Sequence, residues 1–206
     1  MLVQLVSLFA FAASSLAVPV ADITSLGYLR CSSEGQVTGY LSKSLNSAGE
    51  YKGVSPDSDP NDVNHRMLVS LDVTATGTQS LLVKNAPDND YPFLGGIGGE
   101  EGSTIGSNGD YLHVGGTELT ASGAKPSYCG NTYTDRTNNL RKCESAVWVY
   151  NSTTSEVTPR WTNDDGSVVD ANIGYVDASF VLTGDKKEFE DSWSDSVEWI
   201  TLTFET

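Results

Sequence analysis

Short runs of β-branched and aromatic residues recur along the chain between clusters of Gly, Asn, Asp, Ser and Pro. No stretch from Val18 onward sustains the period of about 3.6 residues, with caps, that a helix requires. The pattern predicts strands over 36–41, 67–74, 80–84, 111–114, 145–150, 156–161, 179–183 and 197–204. The last alternates most cleanly. Ile200, Leu202 and Phe204 fall on one face and Trp199, Thr201 and Thr203 on the other, as in an antiparallel strand with one side on a core. A short helix is expected over 185–192 (DKKEFEDS), begun at Gly184-Asp185. The class is all-β, and the absence of a long unstructured linker makes 18–206 one domain.

Three stretches share a plan in which an apolar strand reaches an Asn, crosses a small-residue turn and restarts at an acid followed by Tyr or Val. They are Leu45-Asn46-Ser47-Ala48-Gly49-Glu50-Tyr51, Lys84 to Tyr91 around Asn85, and Tyr150 to Val157 around Asn151. Taking 121–144 as an insertion leaves three units of about 40 residues, each with room for four strands. That layout favours a β-trefoil-like barrel, six strands closed by three hairpin caps, whose closure removes exposed edges. A two-sheet β-sandwich or jelly roll accounts for the same periodicity and is the alternative.

The first 17 residues bear no charged side chain, and Leu2 to Leu16 form a short apolar run ending in Ser15-Leu16-Ala17 ahead of Val18-Pro19. This is the pattern of a secretory signal peptide cleaved after Ala17, too short for a spanning segment of about 20 residues. The C-terminal end alternates and resembles neither an anchor signal nor a retention signal. Secretion into the extracellular space is therefore expected. Of the cysteines that follow, Cys129 and Cys143 flank a polar segment and are the expected disulfide in an oxidising compartment. Cys31 is left as a buried small hydrophobe or a partner for another thiol. Asn151-Ser152-Thr153 is the one N-glycosylation acceptor.

Charge narrows the partners. The chain holds 27 Asp and Glu against 12 Lys and Arg, a net −15, so its surface repels polyanions and nucleic acid is excluded as a partner. Membrane binding is not expected either, and the oligomeric state is left open. Lys125, Arg136, Arg141 and Lys142 gather in or beside the expected disulfide loop. Six acids from Asp185 to Glu198 crowd the C-terminal region, and pairing within the chain is the preferred reading of that asymmetry.

The segment from Glu144 to Asp185 carries Glu144-Ser145-Ala146-Val147-Trp148, Thr158-Pro159-Arg160-Trp161, Asp165-Gly166-Ser167 and Leu182-Thr183-Gly184-Asp185. This order resembles a pattern in small secreted proteins of fungi with no assigned activity. The resemblance implies secretion and a single fold unit, and contributes no catalytic residue. A weaker likeness to trefoil lectins of the ricin type fails at their Gln-x-Trp motif, because Pro159-Arg160 precede Trp161.

Several groups carry possible chemistry. Asp57, Asp59, Asn61 and Asp62 begin like a calcium loop, but Asp62 and Leu68 stand where Gly and Glu are needed. A solvated turn is preferred to a looser calcium site helped by Asp88 and Asp90 or by Asp164 and Asp165, and no cofactor is expected. The run Gly95-Gly96-Ile97-Gly98-Gly99 lacks the Lys-Ser/Thr ending of a phosphate loop and reads as a flexible loop or bulged strand. No Gly-x-Ser-x-Gly elbow is present, and His65 and His113 have no nucleophile motif beside them. Glu100-Glu101 and Asp164-Asp165 offer carboxyl pairs of the kind a glycoside hydrolase needs, without further support. If the valines of 146–150 face the core, Trp148 and Tyr150 form an exposed strip that stacks on sugars; if the aromatics face inward, the strip disappears. Trp161 with Asn163 and Asp165 is a second candidate sugar site. The function expected is a secreted, non-enzymatic protein binding glycans at a cell wall or host surface. The alternatives are a protease inhibitor using the 129–143 loop and, less favoured, a glycoside hydrolase.

Overall fold

The computed structural model describes residues 24–206 apart from 34–35, 57–59 and 194–195. The expected signal peptide and the first half of the calcium-like turn lie outside the described residues. Among them the strands are β1 (Thr24–Ser33), β2 (Gln36–Leu41), β3 (Val54–Ser55), β4 (Leu68–Asp72), β5 (Leu81–Val83), β6 (Phe93–Gly98), β7 (Tyr111–Thr117), β8 (Cys143–Glu144), β9 (Trp148–Tyr150), β10 (Glu156–Thr162), β11 (Val168–Asp170), β12 (Asn172–Val176), β13 (Ser179–Thr183) and β14 (Glu198–Glu205). Two short α-helices, α1 (Thr132–Thr137) and α2 (Lys186–Ser192), complete the set with a 3-10 turn at Pro60–His65. No described helix is long and apolar enough to cross a membrane.

The fold is an all-β closed barrel. Strands β4, β5, β6 and β7 form an antiparallel meander, β7 pairs with β13, and β13 with β12. β12 then pairs with β14, β14 with β1 and β1 with β4, which closes a ring of eight antiparallel strands. A barrel is thus formed in place of a sandwich, but with eight strands in the ring where a trefoil has six. The threefold pattern in the sequence is a repetition of turn chemistry. Asn46 and Asn151 both turn a side-chain oxygen onto backbone N–H groups two residues ahead, at 2.9 Å, whereas Asn85 accepts from Leu68 on another strand. Similar turns do not require similar strand pairing.

Alternation along the strands fills the barrel. Val69 and Leu71, Leu81 and Val83, Val157 and Trp161, and Ile200, Leu202 and Phe204 point inward, so the face predicted for β14 is the face observed. An eight-stranded barrel has an interior that side chains just fill. Each Leu, Ile or Val fully withdrawn from water contributes about 1.5–3 kcal/mol. Trp148 and Trp161 are the bulkiest of these side chains, and both indole N–H groups donate to backbone, Trp148 to Leu94 O at 2.7 Å and Trp161 to Ser103 O at 2.8 Å. The polar edge of each ring is thereby satisfied inside an apolar core.

The glycine run is a barrel strand, which corrects the flexible-loop expectation. On β6, a Cβ at Gly95 would fall 2.5 Å from Glu144 O, because β8 lies against this strand. On β7, a Cβ at Gly115 would fall 2.6 Å from Ile97 Cδ1 and 2.9 Å from Thr132 Oγ1. The missing side chains leave a shallow trough on the outer wall, and 121–144 packs into it. This excursion is closed by the expected disulfide between Cys129 and Cys143, with Cα atoms 5.7 Å apart. Asn131 caps α1 by accepting from Thr134 N at 2.8 Å, and Tyr133 and Cys143 join Ile97 in a small apolar cluster outside the barrel. The predicted helix is α2, capped by Asp185 through the N–H of Glu188.

Candidate functional site

With the barrel interior filled, the concave surface lies on its outer wall. A cleft of about 290 Å³ opens between the Asn46–Glu50 turn, strands β7 and β13, the β12–β13 turn and α2. That volume is at the lower end of ligand sites, which begin near about 300 Å³, and suits one ring-sized group.

Its polar wall begins with a turn. Asn46 Oδ1 accepts from the N–H groups of Ala48 and Glu50, and Tyr51 N donates to Val114 O at 2.9 Å, which seats Glu50 against β7. Glu50 is then held from three sides. Its Oε1 lies against His113 Nδ1, and its Oε2 accepts from Asn46 Nδ2 and from Ser179 Oγ at 3.0 Å. Burial by itself would raise the Glu50 pKa, but the His113 contact and the Asn46 and Ser179 hydrogen bonds outweigh it and hold the carboxyl below its usual range. Glu50 is accordingly a carboxylate at neutral pH.

His113 projects outward from β7 and is covered by the disulfide-closed excursion. Tyr133 stacks on its ring at 4.4 Å with planes 15° apart, and Tyr111 meets it edge-on. Its Nε2 is buried and has no hydrogen-bond partner among the described residues. A buried nitrogen left so costs about 1–3 kcal/mol, which a ligand or water reaching it would restore.

The apolar wall is aromatic. Tyr111 packs edge-on against Phe189 at 5.6 Å and against Trp193 at 5.1 Å. Burial, then the charges of Glu100 and Glu50, push the Tyr111 phenol up to about 12, so it remains a proton donor throughout the physiological range. Trp193 donates its indole N–H to Gly109 O at 3.0 Å and keeps 43% of its surface exposed. The fixed edge and open remainder of that ring make a platform at the mouth of the cleft. Asp177 completes the rim from the tight β12–β13 turn, where Asp177 and Ala178 both have positive φ, 49° and 63°.

A second cleft of similar volume lies over Gly98, Ser103, Tyr128, Leu140 and Lys142. Its basic residues are already paired, Lys142 with Asp164 at 2.7 Å and Arg141 with Glu100 at 3.2 Å. Two of the four basic residues gathered there, Arg141 and Lys142, therefore pair within the chain, with Glu100 and Asp164 instead of C-terminal acids.

The site residues expected from sequence lie elsewhere. Trp148 and Trp161 are buried in the core, 1% and 0% exposed, so neither presents a face to a sugar. Tyr150 is half-buried with its ring edge-on to Phe204, and the aromatic strip does not exist. Asn163 is buried and clamps Ile105, accepting from its N–H and donating to its carbonyl, both at 2.9 Å. Asp165 is exposed, but its carboxylate is turned back onto Ser167. The physical reason is shared: β9 and β10 pair with each other and β10 with β14, so what reads as a surface hairpin is part of the wall and turns its aromatics onto the core. Asp88 and Asp90 stand in an exposed turn, and no group of three or more His, Cys, Asp or Glu gathers to hold a metal ion among the described residues. Cys31 is buried on β1 outside the disulfide, and burial pushes its thiol up to about 12. Asn151 is exposed in its turn.

The cleft residues Asn46, Glu50, Tyr111, His113, Ser179 and Trp193 carry no local motif. Only Asn46 to Glu50 stands out in the sequence, as a turn. No family model, no curated protein and no solved structure matches the chain. Fold and site together define a closed eight-stranded barrel with an external aromatic and acidic cleft.

Proposed function

We propose that the protein is an exported glycan-binding protein acting at a cell wall or host surface, akin to the small secreted fungal proteins that its 144–185 segment resembles, and that the external cleft is its binding site. The observation that carries this reading is the half-open indole of Trp193 beside Asn46, Glu50 and Ser179. A sugar ring offers a C–H face to an aromatic platform and hydroxyls at its rim to amide, carboxylate and hydroxyl partners. Support for export comes from the disulfide, the leader-like first 17 residues and an exposed glycosylation acceptor at Asn151. The inhibitor alternative draws less support. Asn131, Thr132 and Tyr133, at the head of the 129–143 loop, are buried against the barrel and do not project as a reactive turn would.

The test is a tryptophan-fluorescence titration of the secreted protein with tetramers of β-linked glucose, N-acetylglucosamine, glucosamine and mannose. Saturable binding is expected to at least one, and Trp193→Ala should weaken it at least tenfold. Absence of binding to all four, or binding indifferent to Trp193→Ala, would refute the reading.

A further inference from the structure

We infer that the glycan taken by this cleft carries a protonated amine, as glucosamine without an acetyl group does. The inference rests on the reading of the cleft as a glycan site and concerns which glycan enters. Three features of the lining support it. Glu50 is kept ionised by its surroundings, and the Asp177 carboxylate stands exposed at the rim. Among the described residues lining the cleft none is Lys or Arg, in contrast to the second cleft, where Arg141 and Lys142 are matched by acids. His113 turns its Nδ1 to Glu50.

The aromatic wall adds the second requirement of a cation site. Tyr111, Phe189 and Trp193 line the same cleft as the two acids, and an ammonium group is attracted to an aromatic face by the ring quadrupole while its carbons stay in apolar contact. A further polar group is the buried Nε2 of His113. The side chain is 7% exposed, lines the cleft and has no partner for that nitrogen. Uronic and sulfated sugars are disfavoured by the same carboxylates. Over longer range the net charge of −15 steers a polycation toward the surface and holds polyanions away.

Calorimetry on the secreted full chain would compare four tetramers: glucosamine, N-acetylglucosamine, β-linked glucose and galacturonate. The glucosamine tetramer should bind at least tenfold more tightly than the acetylated and neutral ones, with the advantage shrinking as salt is raised. Asp177→Asn should cut glucosamine affinity at least threefold. Asn tolerates the positive φ at that turn, so this variant keeps the fold where Glu50→Gln disturbs a buried pair. If the acetylated or glucose tetramer binds as tightly as the amine, the inference falls and the glycan reading stands. If no tetramer binds, both fall.

Discussion

Glu144 offers a test of the barrel's outer seam that needs no ligand. It sits on β8 opposite Gly96 of β6, on the face of the strand that looks toward Trp161, 3% exposed, with Oε1 buried and unbonded and one hydrogen bond from the Thr162 backbone. Burial dominates, and it raises the carboxyl from 4.5 to about 8. The folded state therefore keeps a proton that the unfolded chain releases above about pH 4.5. Below that pH both states are protonated and Glu144 costs nothing. As pH rises toward 8 the folded state loses ground at about 1.4 kcal/mol per unit, and the loss levels off above the folded value. Allowing for partial solvent access, the total is on the order of 3 kcal/mol. Glu144→Gln is nearly the shape of the neutral acid and removes the titration. Urea denaturation followed by tryptophan fluorescence at pH 5, 6, 7 and 8 should find the variant close to the parent at pH 5 and increasingly more stable by pH 8. A difference that stays flat across this range would mean that Glu144 is ionised in the folded protein. The account of a dry seam between β8 and β6 would then be wrong.

Two further perturbations probe the same wall. Replacing Cys129 and Cys143 together by Ser should cost about 3 kcal/mol, the chain-entropy value for a loop of about 15 residues, seen as a lower urea midpoint. An unchanged midpoint would indicate that the excursion is held by packing alone. Gly95→Ala places a methyl group 2.5 Å from Glu144 O and should cost about 1–3 kcal/mol, while Gly77→Ala, with nothing within 4 Å, should stay within about 0.5 kcal/mol. Equal melting temperatures for the two would remove the trough as the reason for the glycines.

Elements whose side chains alternate or cap locally were legible in the sequence. β2, β13, β14 and α2 announce themselves through β-branched runs or through Asp185 ahead of a charged helix. β6 was not legible as a strand of the ring, because Gly95 on its outer face and Gly96 on its inner face are set by what packs against them, Glu144 and Trp161, contacts with residues far along the chain. α1 has six residues, too few to show a period. Trp148 and Trp161 show where the sequence left a choice open: alternation gives the two faces of a strand but not which face water reaches. The candidate site was illegible for a related reason. Its hydrogen bonds from Asn46 to Ser179 and from Ser179 to Glu50 join positions more than a hundred residues apart. Only the turn at 46–50, which holds one end of that network, left a local mark.

The seam between β1 and β14 has a consequence for how the protein comes into being. Arg30 donates to Glu205 at 3.1 Å and Tyr40 to the same carboxylate at 2.8 Å, so opposite ends of the described chain share one ladder. A chain made from its N-terminus presents β1 long before β14. Until then β1 lacks the neighbour that closes the ring, and an unpaired strand invites pairing with other chains. The barrel is completed only when β14 is in place, so folding depends on distant contacts and is slow, and for most of its synthesis the chain carries an open edge that its own last strand must cover.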